Sequence, residues 1–308
     1  MRAYQVNRFG GGEGSSLNQT AIPDIAGHDM LVKVRAAAIN QLDWKVQEGW
    51  IEGFIPHTLP LTLGWDVAGV VENGGNAVQD FEPGDEIFAM ADIARNGSFA
   101  QYIVLDSRLV ARKPVNLTFE EAAAMPLSAI TAWNALFEFG QLEAGQSVLI
   151  HAIAGGVGIF AAQLAKIAGA RVVGTCSAAA MPLAQKLGVD ALVDYTREDF
   201  AEHSGFDLVI DAVGGETRNR SWPLLRPGGR MATLVPPFEP ADQLRDDVIS
   251  MLVGAAPDSS KLHKIAILAE TGRLKPYIGA AFTLEQVGEA LAKSRTNHMH
   301  GKIVITVD

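Results

Sequence analysis

One short stretch constrains this chain more than any other. The apolar run Val148-Leu149-Ile150 leads into His151-Ala152-Ile153-Ala154-Gly155-Gly156-Val157-Gly158, where a helical apolar pattern, Val157 to Ala168, begins. A second apolar run, Arg171 to Thr175, completes a strand, turn, helix and strand. Glycine has no Cβ, so such a turn can approach a ligand closely, and the helix start offers unpaired N–H groups to an anion. The pattern fits the pyrophosphate of a dinucleotide, with Gly155, Gly156, Val157 and Gly158 in contact. No lysine-bearing phosphate loop follows the glycines and no nucleophile elbow occurs, which removes nucleoside triphosphatase and serine hydrolase chemistry.

The α/β alternation continues downstream with a helix at Met181 to Leu187. Strands follow at Ala191 to Val193, at Phe206 to Asp211 and after Pro227-Gly228-Gly229. Helices between apolar runs imply parallel crossovers, so the fold class is α/β with a doubly wound parallel sheet. Upstream the character is different: short β-rich runs at Met30 to Ala36, Val67 to Val71, Glu86 to Ala89 and Phe99 to Leu105 alternate with glycine turns. An alanine-rich helix, Glu120 to Phe139, breaks at Pro126. The tail adds helices at Ser259 to Thr271 and Leu284 to Ser294 and a strand at Ile303 to Val307. With 308 residues, 48% of them hydrophobic, two cores can form.

The second strand of the glycine unit ends Gly174-Thr175-Cys176-Ser177. Sites for NAD place an acidic residue there, roughly 20 residues past the glycines, to bind the ribose 2′-hydroxyl. This strand has none, which favours NADPH and leaves NADH as the weaker alternative. Ser177 either donates to the 2′-phosphate or caps the following helix.

Charge narrows the partners further. The net charge of -10, from 35 acidic and 25 basic residues, opposes nucleic acid. A single cysteine, Cys176, allows neither an intrachain disulfide nor a zinc site of several thiolates. The N-terminal run Met1 to Val6 lacks a secretory pattern, so a cytoplasmic location is expected. The uncharged stretch Gly145 to Ala165 reads as strand, turn and helix, and no membrane association is expected. His298-Met299-His300 has no third ligand and reads as a solvated turn, and His151 reads as structural.

Several segments, taken in order, carry a family likeness. They are Ile39 to Lys45, Leu63 to Val71, Pro83 to Glu86, Gly97 to Tyr102, Thr131 to Trp133, the glycine turn, Asp207 to Gly215, and Gly301 to Val304. The chain resembles the zinc-independent quinone oxidoreductases and enone reductases of the medium-chain dehydrogenase/reductase superfamily. That resemblance implies a GroES-like, mostly β domain, residues 1–117 with 259–308, into which a Rossmann domain, 118–258, is inserted. Zinc-dependent relatives carry a cysteine where this chain has Asn40 and a His-Glu pair where it has Trp65-Asp66. No metal is therefore expected. The family's 2′-phosphate contacts fall on Ser177 and Tyr195, and Lys302 is assigned to the cofactor. Ala178-Ala179-Ala180 replaces a basic residue that many relatives have, which implies a modest preference for NADPH.

In relatives with an Asp-aromatic-Lys sequence the lysine lies beside the nicotinamide, which makes Lys45 the leading catalytic candidate. Asp43 either orients Lys45 or caps its helix. Asn40 either contacts the ring or closes the turn, and Thr131 either meets the nicotinamide amide or packs. The implied reaction is NADPH-dependent hydride transfer to a quinone or an α,β-unsaturated carbonyl compound. Alternatives are a zinc-free alcohol dehydrogenase, an enoyl-thioester reductase, or an NADPH-binding sensor or RNA-binding protein without turnover. A homodimer is expected through an edge strand at Arg230 to Val235.

Overall fold

The structure, a computed structural model, describes residues 1–239, 242–296 and 299–308. His298 of the His-Met-His segment lies outside them. The first part of the chain forms β1 (Arg2–Val6), β2 (Ser15–Gln19), β3 (Asp29–Ile39), α1 (Gln41–Gln47), β4 (Leu61–Thr62), β5 (Asp66–Gly74), β6 (Glu86–Met90), β7 (Tyr102–Asp106), β8 (Ala111–Arg112) and α2 (Phe119–Ala123). Next come α3 (Pro126–Trp133), β9 (Ser147–Ile150), α4 (Gly156–Ile167), β10 (Arg171–Cys176), α5 (Met181–Gln185), β11 (Ala191–Asp194), β12 (Phe206–Asp211), α6 (Gly215–Ser221), β13 (Leu225–Thr233) and β14 (Ile249–Leu252). The tail supplies α7 (Ser259–Glu270), β15 (Ile278–Thr283), α8 (Val287–Arg295) and β16 (Lys302–Thr306).

Two units divide the chain. The first comprises Met1–Leu127 and Ala256–Asp308, the second Ser128–Ala255. The boundary falls after α2 because that helix packs on β3 and β5 of the first unit. Pro126 ends the alanine-rich segment as a single helix and opens α3, where a missing N–H costs nothing, and a π turn over Asn134–Phe139 follows.

In the first unit the large sheet runs β15-β16-β3-β5-β6-β8, with β7 also on β3, and a small sheet runs β2-β1-β4. Trp65, Phe88 and Phe99 are fully buried at its core. Strand β16 pairs antiparallel with β3, matching Ile303 to Ile39, so the tail lays Lys302 beside Asn40. Asn40 then starts α1, whose Trp44 and Val46 turn into the core.

In the second unit six parallel strands lie in the order β11-β10-β9-β12-β13-β14. Both faces of β9 are covered, and Val148, Leu149 and Ile150 are fully buried, as a central parallel strand requires. The expected edge at Arg230 to Val235 is corrected: β13 is paired on both sides, and β14 is the edge. That edge shows no apolar alternation because Ile249, Met251 and Leu252 are all exposed, leaving burial no pattern to impose. Among the described residues no helix is long and apolar enough to cross a membrane.

Candidate active and dinucleotide sites

The turn between β9 and α4 is built for close approach. Gly155 is the N-cap of α4, no side chain caps it, and Gly156 is the first helical residue. A Cβ on Gly158 would overlap the Ala152 carbonyl oxygen and the Ile153 backbone, so only glycine lets the helix start this close to the turn. Orphan N–H groups at a helix start then face outward for an anion, and the residues fit a dinucleotide pyrophosphate. Just before the turn, fully buried His151 ties three elements together. Ser221 Oγ donates to the Thr217 carbonyl at 2.7 Å, so it accepts from His151 Nε2 at 2.8 Å, and Nδ1 accepts from Thr175 Oγ1 at 3.0 Å. Burial pushes this imidazole down to about 4, which keeps it neutral and structural.

Ser177 follows β10 and Tyr195 follows β11. These strands are adjacent and parallel, so both residues stand at the carboxyl edge of the sheet, where dinucleotides bind. The hydroxyl of Ser177 makes no cap bond to the turn it opens, which sets aside the capping alternative. Tyr195 is 56% exposed. Thr131, on α3, is buried.

The first unit gathers Asn40, Asp43 and Lys302, and adds Asp66. Lys302 Nζ donates to Asn40 Oδ1 at 2.5 Å and lies 3.3 Å from Asp66 Oδ2. Asn40 Nδ2 donates to the same carboxylate oxygen at 2.9 Å, and the Leu127 N–H donates to the other at 2.7 Å. Burial pushes the Asp66 carboxyl up, against the pull of the Lys302 ammonium and these donors. Lys302, expected at the cofactor, is 3% exposed here, and its ammonium bonds Asn40 and Asp66. Asn40 closes the turn into α1 and joins this network.

Asp43 lies one turn along the same helix. Its Oδ2 accepts from the Asn40 N–H at 2.6 Å, which is the capping role. It does not orient Lys45, because residues two apart on a helix point about 200° apart, and its buried neighbours are Asp66 and Lys302. Oδ1 is buried without a partner, and burial raises this carboxyl to about 8, with Asp66 adding to the rise. A folded-state value above the ordinary one adds stability below the ordinary carboxylate range and removes it as pH rises toward 8. Denaturant titrations at pH 5, 7 and 9 should therefore show the native chain losing stability, by up to a few kcal/mol, relative to Asp43→Asn. Parallel pH profiles would refute the assignment.

Lys45 is set apart from this network. Among the described residues it forms no ion pair, and its Nζ lies 5.6 Å from the Trp44 ring centroid. Trp50 meets Trp44 edge-on at 5.3 Å, so the ammonium sits beside an aromatic wall. Partial burial lowers its affinity for the proton. The Arg295 guanidinium shares the Trp44 ring but is paired with Glu48, which leaves the Lys45 ammonium as a hydrogen-bond donor for an incoming oxygen.

Comparison with known proteins agrees with this architecture. An alcohol dehydrogenase GroES-like domain model matches residues 26–115, and a zinc-binding dehydrogenase model matches 187–305. The chain is 31% identical to the NAD(P)H oxidoreductase RTN4IP1, mitochondrial, of Danio rerio, covering 100% of this chain and 91% of that one. It is 34% identical to the 2-methylene-furan-3-one reductase of Solanum lycopersicum, covering 99% and 79%. The quinone oxidoreductase of Coxiella burnetii superposes with a TM-score of 0.90 at 30% identity, over 100% and 99% of the two chains. With its GroES-like and Rossmann units and these relatives, the chain belongs to the medium-chain dehydrogenase/reductase superfamily.

Proposed function

We propose that this chain is an NADPH-dependent, zinc-independent reductase of quinones or α,β-unsaturated carbonyl compounds. One observation carries the reading. Asn40 and Asp66 stand where metal-binding relatives place ligands, and the Lys302 ammonium already occupies both. A cation built into the chain satisfies the donors that a metal would need, and Trp65, at the remaining ligand position, is fully buried in the core. The names of the tomato and Coxiella relatives support an enone or quinone acceptor.

A bound nicotinamide dinucleotide supplies the hydride. The Gly155–Gly158 turn would hold its pyrophosphate through backbone N–H groups, and Ser177 and Tyr195, side by side past β10 and β11, would meet the 2′-phosphate. Lys45 donates a hydrogen bond to the acceptor's carbonyl oxygen, where negative charge grows in the transition state. Water protonates the released enolate or hydroquinone anion, so no protein acid is required at the hydride step.

Turnover of a quinone and enone panel should persist after exhaustive chelation, with NADPH modestly preferred to NADH and no stoichiometric zinc by elemental analysis. One zinc per chain with chelator-sensitive turnover would overturn the reading. Oxidation of cofactor by alcohol-forming substrates alone would favour the alcohol dehydrogenase alternative, and binding without turnover would favour a sensor.

A homodimer built on β14 is part of the same proposal. Its exposed Ile249, Met251 and Leu252 form an unpaired apolar edge, which proteins usually cover. Light scattering should give a dimer for the native chain and a monomer for a double Met251→Lys, Leu252→Lys variant. A native monomer would count against it.

A further inference from the structure

The end of β10 carries no carboxylate of its own, but the fold brings one to it. Strands β10 and β11 pair in parallel with Cys176 opposite Asp194, one residue before Ser177, and adjacent strands lie about 4.8 Å apart. The Tyr195 N–H donates to the Cys176 carbonyl at 3.1 Å and fixes that alignment beyond the strand end. Asp194 Oδ1 accepts from the Thr196 N–H at 3.1 Å and from Thr196 Oγ1 at 2.7 Å. Burial and this nearby carboxylate both raise the Cys176 thiol, so Asp194 lies beside the residue that precedes Ser177.

We propose that Asp194 is a specificity residue of the dinucleotide site, its carboxylate limiting how strongly a 2′-phosphorylated cofactor is preferred over its unphosphorylated counterpart. The inference rests on the dinucleotide reading given above and deepens it. Ser177 and exposed Tyr195 offer hydroxyl donors to a 2′-phosphate, yet a fixed negative charge stands beside them. The Thr196 donors favour the ionised form of that carboxyl and hold it below the usual carboxylate range. Arg197 sits in the same turn, exposed and without an ion pair among the described residues, and offsets part of the charge. A ribose 2′-hydroxyl carries no charge and is not repelled by this carboxylate, whereas a phosphate is repelled by it at close range.

Fluorescence titration with NADPH and NADH tests this directly, with 2′,5′-ADP and ADP as probes of the adenosine end. Asp194→Asn should tighten NADPH and 2′,5′-ADP by about three- to tenfold, leaving NADH and ADP within about twofold. Thr196→Val keeps the backbone shape while removing one donor that neutralises the carboxylate. It should weaken NADPH and leave NADH unchanged, which supplies a second readout if Asp194→Asn disturbs the turn. Equal changes for both cofactors would make Asp194 an ordinary turn residue and overturn the proposal, as would no change in either variant. A native chain that binds neither cofactor would instead remove the dinucleotide reading itself, so the two failures are distinguishable.

Discussion

Lys302→Met is expected to cost the fold about 3–5 kcal/mol. The substitution keeps the length of the side chain and deletes its charge, leaving Asp66, which is fully buried, with only Asn40 and the Leu127 N–H as donors among the described residues. An isolated carboxylate in that position must take up a proton or draw in water, and either response loosens the packing where β16 meets β3. Asp66→Asn in the same background removes the orphaned charge and should recover most of the loss, because a neutral pair of similar volume needs no counterion. Equilibrium unfolding in denaturant of the native chain, the single variant and the double variant measures the coupling. A single variant within about 1 kcal/mol of native would show that the ammonium is not what holds Asp66. Added divalent metal gives a further readout: if Asn40 and Asp66 formed a latent metal site, it would restore stability to Lys302→Met, whereas the present reading expects no restoration.

Lys45→Met should lower turnover by roughly a hundredfold or more while changing NADPH affinity little. The separation follows from where the charge is needed. Before hydride arrives, the acceptor oxygen is a neutral carbonyl and gains little from an ammonium, whereas the oxygen that forms during transfer is anionic. The side chain is poised for this work: it has no carboxylate partner, lies against Trp44, and is partly withdrawn from water, so its donor strength is not already satisfied. A solvated surface lysine in the same sequence position would give almost no effect when removed. Steady-state kinetics, with cofactor binding measured independently, separates the two outcomes. Lys45→Arg is the informative companion, since it retains the charge and alters the reach; partial activity there with near loss in Lys45→Met would confirm a positioned donor. Unchanged turnover in Lys45→Met would move the search to Asn40 and Thr131.

Much of this molecule is written locally. The Rossmann unit was legible because a buried parallel strand must be apolar throughout and a helix that begins beside a phosphate turn must begin with glycine; Val148 to Ile150 and Gly155 to Gly158 satisfy both within a dozen positions. The cap at Asn40 and Asp43 and the break at Pro126 were likewise local, since each is decided by the backbone needs of one helix end. What the sequence could not determine was which distant charges share a space. Lys302 and Asp66 are 236 positions apart, and only the antiparallel pairing of β16 with β3 makes them neighbours and the lysine a buried counterion. Asp194 lies 18 positions beyond Cys176, and only the pairing of β11 with β10 sets the two opposite each other. The sheet edge moved from β13 to β14 for a related reason: a four-residue strand with exposed apolar residues on both faces carries no hydrophobic period. Sequence determined the elements and the glycine turn, because those depend on neighbours along the chain; tertiary structure decided the charges around them, because electrostatic partners are set by distance in space.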